Sequence, residues 1–279
     1  MDPVRLGVVR YLNTAPLIEG LDRVEGLSIV PAVPARMIDM LSRGDVDIAL
    51  ASIVDAVRSP EPVTILPVGM IGCDGPTLTV RVFSAVPLDE IEEIHADTDS
   101  HTSVVLSQLM IRARTGRKPR VIPFDARERV ALADPARAEE WPRTVLLIGD
   151  KVVTESLPAV RYPHQMDLGE EWHARTGLPF VYAAWMTPTC RLEEPRIQTA
   201  AALLDRQRRH NTTRLDWIVS RRAAAHRWPE DLAREYLGRR LRYELGPRER
   251  AGAERFLAEA ADAGLLPAGS PAWDAPAYA

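Results

Sequence analysis

Four polar clusters in this chain have the side chains to grip a small anion: Asn13–Thr14, Ala51–Ser52, Thr79, and Ser100-His101-Thr102-Ser103. Each follows a candidate strand or opens a candidate helix, except Thr79, which lies within a strand. Hydroxyl groups and the open backbone N–H groups of a helix start are donors that suit carboxylates. The first cluster is the clearest. Leu6–Val9 is apolar, Asn13 and Thr14 follow, and Pro16 falls where a first helical turn tolerates a missing N–H. Asn13 or Thr14 is expected to cap that helix, and a helix start at the carboxyl end of a strand favours an anionic ligand. With such clusters on both halves of the chain, the expectation is a ligand enclosed between two lobes, with Ser52, Ser100, Thr102 and Ser103 among its contacts.

The other candidates for chemistry are fewer. His101 sits in the last cluster and reads either as an acid or base or as an incidental helix-start histidine. Asp74 and Asp150 read as turn and N-cap residues. The six histidines show no His-x-x-x-His pair, and there is no P-loop, Gly-rich dinucleotide fingerprint or Gly-x-Ser-x-Gly elbow. Cys73 and Cys190 have no metal-like spacing and read as two buried thiols. No metal and no cofactor are expected.

The elements that must hold these clusters alternate in a βαβ rhythm: Val4–Val9, Thr14–Leu21, Leu27–Val33, Pro34–Arg43 and Val46–Leu50, then a strand at Leu78–Ser84. A second α/β unit follows, with a helix over Val104–Arg114 and short buried strands at Val121–Pro123 and Val145–Ile148. Asp167-Leu168-Gly169 opens a helix that Gly177 closes, and Phe180–Trp185 is the returning strand. From Glu193 onward the pattern is helical: Glu193–Arg209, Thr213–Arg227, Pro229–Gly238 and Pro247–Ala263. These helices are expected to return to the first lobe. Lobe 1 is thus 1–85 plus 190–279 and lobe 2 is 86–189, with a hinge where the chain crosses near 83–88 and 185–191.

The chain has 279 residues, 46% of them hydrophobic, and a net charge of −4, enough apolar content for two modest cores and no global attraction to nucleic acid. Arginine is its surface cation: only Lys118 and Lys151 are lysines, and the C-terminal arginines alternate with acids. No aromatic residues interleave with them as a single-strand platform requires. The apolar runs are too short to cross a membrane, and Met1-Asp2-Pro3 leads straight into a strand, so no membrane association and a cytoplasmic location are expected. Oligomeric state is not legible.

Several motifs in order carry a resemblance: Tyr11-Leu12-Asn13…Pro16-Leu17, Arg43-Gly44-Asp45-Val46-Asp47-Ile48, Gly72-Cys73-Asp74-Gly75-Pro76, Ser100…Thr102-Ser103-Val104, Leu147-Ile148-Gly149-Asp150, and Asp167-Leu168-Gly169…Trp172…Thr176-Gly177-Leu178-Pro179-Phe180-Val181. The set resembles the chorismate dehydratases of the futalosine route to menaquinone, over roughly residues 4–260. The resemblance implies a two-lobed α/β fold of the periplasmic-binding-protein (type II) kind without export, and a cofactor-free dehydration of the chorismate dianion to 3-[(1-carboxyvinyl)oxy]benzoate. By motif, Asn13 would orient the substrate and stabilise developing charge. Thr79 stands where a family member has serine, keeping the hydroxyl and adding a methyl. Thr102 and Ser103 would take a substrate carboxylate. No strong protein base is visible, so the substrate's own enolpyruvyl carboxylate is the candidate proton acceptor. The competing readings are a 1,4-dihydroxy-6-naphthoate synthase, which shares the fold, and a non-catalytic cytoplasmic binding protein for an aromatic carboxylate.

Overall fold

The computed structural model describes residues 2–126, 141–155 and 157–274. Among these, two sheets carry the fold. The first contains β1 (Val4–Val8), β2 (Leu27–Pro31), β3 (Ile48–Ser52), β4 (Val63–Cys73), and, from late in the chain, β10 (Phe180–Pro188), β11 (Leu241–Arg242) and β12 (Ala272–Trp273). Its order is β11-β4-β10-β3-β1-β2, with β12 beside β4. The second contains β5 (Val80–Ser84), β6 (Glu93–Asp97), β7 (Arg120–Phe124), β8 (Thr144–Ile148) and β9 (His164–Asp167), in the order β7-β6-β8-β5-β9. In each sheet parallel strands are flanked by helices and read as unbroken apolar runs: every residue of β3 and of β8 is buried.

Sheet membership shifts the expected crossings. β5 already belongs to the second sheet and β10 to the first, so the chain passes between them through 74–79 and 168–179 rather than near 83–88 and 185–191. The reason is strand pairing. β10 lies antiparallel between β3 and β4, and β5 lies antiparallel between β8 and β9. The late helices do return to the first sheet: Ile197, Ala200, Leu204, Val219 and Tyr236 pack with Leu6, Val8, Leu17 and Leu50.

The crossings are tightly built. The helix Leu168–Thr176 is capped by the Asp167 carboxylate, which accepts from the N–H groups of Gly169 and Glu170, and it closes at Gly177 in the left-handed region, as its sequence requires. The same carboxylate accepts from the N–H groups of Thr77 (2.9 Å) and Leu78 (2.7 Å) in the other crossing. It thereby holds Leu78 at φ +75°, a conformation that costs an L-residue about 1–2 kcal/mol. A Cβ on Gly169 would lie 2.1 Å from Thr77 Oγ1 and 2.6 Å from Cys73 Sγ, so only glycine lets the crossings meet. Beside them Trp172, Phe180 and Phe256 pack edge to face, with centroids 4.9–5.9 Å apart.

Candidate active site

Between the two sheets lies a cleft lined by Tyr11, Asn13, Pro34, Ser52, Thr77, Thr79, Ser100, Ser103, Gly149, Tyr182 and Tyr236, with Val9, Leu50, Ile71, Val80, Ile148, Ala183 and Leu241 supplying its apolar floor. Both sheets contribute. Ser52 ends β3, Thr79 precedes β5, and Ser100 and Ser103 belong to the start of the helix His101–Thr115.

That helix start matches its sequence. Ser100 has extended backbone and its hydroxyl accepts from the N–H of Ser103 at 3.1 Å. Thr102 does not join the lining: it is buried with its hydroxyl donating to the carbonyl of Tyr182 at 3.0 Å, where it links the helix to β10. Its hydroxyl is thereby engaged in a structural bond rather than turned to the cleft. His101 lies off the cleft too, its Nδ1 2.8 Å from Oδ1 of Asp55. Asp55 raises the pKa of that imidazole, and burial raises the carboxyl of Asp55.

The first cluster departs from expectation in its cap. After β1 the chain makes a 3-10 turn, Leu12–Thr14, then one helical turn, Ala15–Ile18, with Pro16 at its start. Neither Asn13 nor Thr14 caps it. The Thr14 hydroxyl donates backward to the carbonyls of Val9 (2.6 Å) and Tyr11 (2.7 Å). The anion at this turn is the protein's own: the carboxylate of Asp150, 138 positions away, accepts from the Leu12 N–H at 3.2–3.3 Å. Asp150 also accepts from the Nε1–H of Trp228 at 3.0 Å and lies 2.8 Å from Nδ1 of His226. Asp150 does hold the N-cap position of the helical turn Lys151–Thr154, as its sequence suggests, but its side chain makes no bond to that turn. It joins three distant segments at the rim of the cleft.

Thr79 faces a partner in Tyr236, whose phenol lies 2.5 Å from Thr79 Oγ1. Asn13 lines the same cleft with its side-chain oxygen buried and unpaired. Tyr182 is held in the same way on the opposite wall, 2.6 Å from Thr77 Oγ1, which in turn lies 3.0 Å from the thiol of Cys73. Burial pushes the Cys73 thiol up to about 12 and raises both tyrosines well above their ordinary range. Only Cys73 of the two cysteines is buried; Cys190 is exposed. Tyr11 closes the rim: its hydroxyl donates to Asp99 at 2.8 Å, and Lys151, one of the two lysines and itself buried, bridges Asp99 (2.8 Å) and Asp97 (2.5 Å). Gly149, at φ +62°, lets the Tyr11 ring lie flat there, since a Cβ would come within 3.1 Å of it.

A family model described as "Menaquinone biosynthesis" matches residues 4–262. The chain belongs to this menaquinone-biosynthesis family. A protein from Thermus thermophilus named chorismate dehydratase is 31% identical over 273 residues, which cover 92% of this chain and 94% of that one. Solved structures show the fold at much lower identity. The alkanesulfonate-binding protein of Xanthomonas axonopodis pv. citri, bound to MOPS, has a TM-score of 0.66 at 13% identity and covers 97% of each chain. The periplasmic aliphatic sulphonate binding protein of Escherichia coli has a TM-score of 0.64 at 12% identity, over 98% of this chain and 92% of that one. An Archaeoglobus fulgidus protein has 0.68 at 13%, over 95% and 98%. The architecture is therefore the two-lobed periplasmic-binding-protein fold, used here by a member of the menaquinone-biosynthesis family. Among the described residues no helix is long and apolar enough to cross a membrane.

Of the six site residues expected from sequence, Asn13, Ser52, Thr79, Ser100 and Ser103 line the cleft of this family member and Thr102 does not. Thr77, Tyr182 and Tyr236 line it without having been expected. Thr77 and Tyr182 carried a signal, their places directly after the Gly72–Pro76 motif and the motif that ends at Val181.

Proposed function

We propose that this protein dehydrates chorismate to 3-[(1-carboxyvinyl)oxy]benzoate, on the futalosine route to menaquinone, in the cytoplasm and without a cofactor. The observation that carries the reading is the Thermus thermophilus relative named chorismate dehydratase, which matches over 92% of the chain. The cleft supports it chemically. Its lining, taken among the described residues, consists of amide, hydroxyl and apolar groups, with no carboxylate, imidazole, ammonium or guanidinium.

The reaction breaks the bond between the ring and its hydroxyl, with the electron pair leaving on oxygen. The hydrogen on the neighbouring ether-bearing carbon leaves as a proton, its electrons become a ring double bond, and one water is released. The gain of aromaticity drives this, so the protein has to hold a dianion, stabilise the departing hydroxide and supply a proton acceptor. In our reading Ser100, Ser103 and Ser52 take the ring carboxylate at the start of the His101–Thr115 helix, and Asn13 and Thr79 act on the departing hydroxyl. The tyrosines are poor bases because burial holds them protonated. The enolpyruvyl carboxylate of the substrate is then the acceptor of the proton, which passes on to the hydroxide.

The test is incubation of the purified protein with chorismate, with and without excess EDTA, followed by mass detection. A product lighter by one water under both conditions is expected. Chorismate recovered unchanged overturns the reading; activity lost to EDTA and restored by a divalent ion overturns its cofactor-free part.

A further inference from the structure

Tyr236 stands where the helix Glu230–Glu235 opens into a wide π-turn, Tyr236–Arg240. Such turns recur where a helix must aim a side chain out of its regular path. The ring is fully buried and stacks on Trp228, with centroids 4.8 Å apart and planes 17° from parallel. Trp228 is itself fixed by donating to Asp150. The phenol is therefore anchored from behind, and its oxygen reaches Thr79, 157 positions away in the chain.

Relative acidity gives this bond a direction. A phenol is a better donor and a poorer acceptor than an aliphatic hydroxyl. The phenol, kept protonated by burial, therefore gives its proton to Thr79 Oγ1. The Thr79 proton is then left for the cleft. In the reverse sense Thr79 would give its proton to Tyr236 and meet the ligand as an acceptor only, which is the wrong polarity for a departing hydroxide.

We propose that Tyr236 is the positioning residue of this site: its phenol sets the order Tyr236 to Thr79 to ligand, so that the Thr79 donor is polarised by the one behind it. The proposal rests on the dehydratase reading for what Thr79 acts upon. It makes Tyr236 a group that works through Thr79 rather than on the substrate itself.

Tyr236→Phe keeps the ring and its stack on Trp228 and removes only the relay. In the full-length protein with chorismate, kcat is expected to fall about 10²-fold while KM stays within about threefold. In a Thr79→Val background the same substitution is expected to cost under about threefold more, because the donor it polarises is already gone. A fully active Tyr236→Phe enzyme overturns the proposal. So does a loss that multiplies undiminished onto Thr79→Val, which would mark a general structural role. If the wild type leaves chorismate unchanged, the dehydratase reading fails by itself, and the crystal structure of Tyr236→Phe decides the positioning role. A Thr79 side chain in a new rotamer sustains it, and one left in place overturns it.

Discussion

At the turn Leu12–Thr14 the chain meets its open N–H with one of its own carboxylates, Asp150, whereas at the helix His101–Thr115 it uses the neutral hydroxyl of Ser100. Both starts face the same cleft, and both looked like anion sites in the sequence. The first is a short turn followed by four helical residues, with little dipole to offer, and its charge is met from within. The second has fifteen residues behind it and a neutral cap. In the proposed reading a ligand carboxylate belongs at the second. The first turn is then free for a different task, presenting Asn13 to the cleft that Tyr236 and Thr79 also line. Ground-state binding and transition-state stabilisation are thus assigned to opposite walls, and the difference can be broken experimentally.

The largest effects are expected on the Asn13 side. Thr79→Val keeps the branched outline but deletes the hydroxyl, and it should cost about 2–4 kcal/mol of transition-state stabilisation, on the order of 10²–10³ in kcat. Thr79→Ser keeps the donor and should stay active. A fully active valine variant would reduce Thr79 to a β-branched packing residue. Asn13→Ala should lower kcat by at least ~10² with the fold intact, by the same argument. Near-normal turnover would make Asn13 a bystander of the Asp150-held turn.

On the other wall the signature should differ in kind. Ser103→Ala is expected to raise KM about tenfold and leave kcat within about threefold, as for a neutral hydrogen bond made equally to substrate and transition state. Loss of kcat at constant KM in this variant would erase the distinction between the walls.

What could be read from sequence follows the same division. The Ser100 cap, the Asp167 cap and the Gly177 stop are local devices whose partners lie within a few residues, so their residue types announced them. Asp150, Tyr236 and Tyr182 work through partners 138, 157 and 105 positions away, and nothing near them in the chain marks that. The strand β4 was hidden for a different reason. Pro67-Val68-Gly69 bulges out of the pairing with β10 between Leu66↔Trp185 and Met70↔Ala184, so a breaker pattern sits in the middle of a buried strand. Missing β4 also moved the expected crossings, since β10 had no visible partner in the first sheet. Thr102 misled because a hydroxyl at a helix start looks the same whether it faces a ligand or the carbonyl of Tyr182.

Asp150→Asn tests whether the charge at the first turn is structural. The amide keeps the shape but weakens the bonds from Leu12, His226 and Trp228, and stability to urea should fall by about 1–3 kcal/mol. An unchanged midpoint would mean that the turn holds without its anion.

The smallest effect concerns the pair His101–Asp55, which joins the second helix start to the segment after β3. A protonated imidazole at a helix N-terminus is opposed by the helix dipole, so the raised pKa of His101 has to come from its neighbour. The Asp55 hydrogen bond and charge supply it, against desolvation and Arg58, with Asp39 adding to it. Because the folded pKa lies above the ordinary 6.5, the stabilisation is fully present below 6.5 and is lost as pH rises through the folded value. Burial raises the carboxyl of Asp55 as well, so the folded state holds more protons than the unfolded one at both groups, and stability falls with rising pH from each. Urea midpoints measured from about pH 6 to about pH 8 should therefore decline in the wild type, and less steeply in His101→Gln. Parallel profiles for the two proteins would show that the pair contributes no pH dependence, leaving Ser100 and the helix backbone as the features that distinguish this wall from the one built on Asp150.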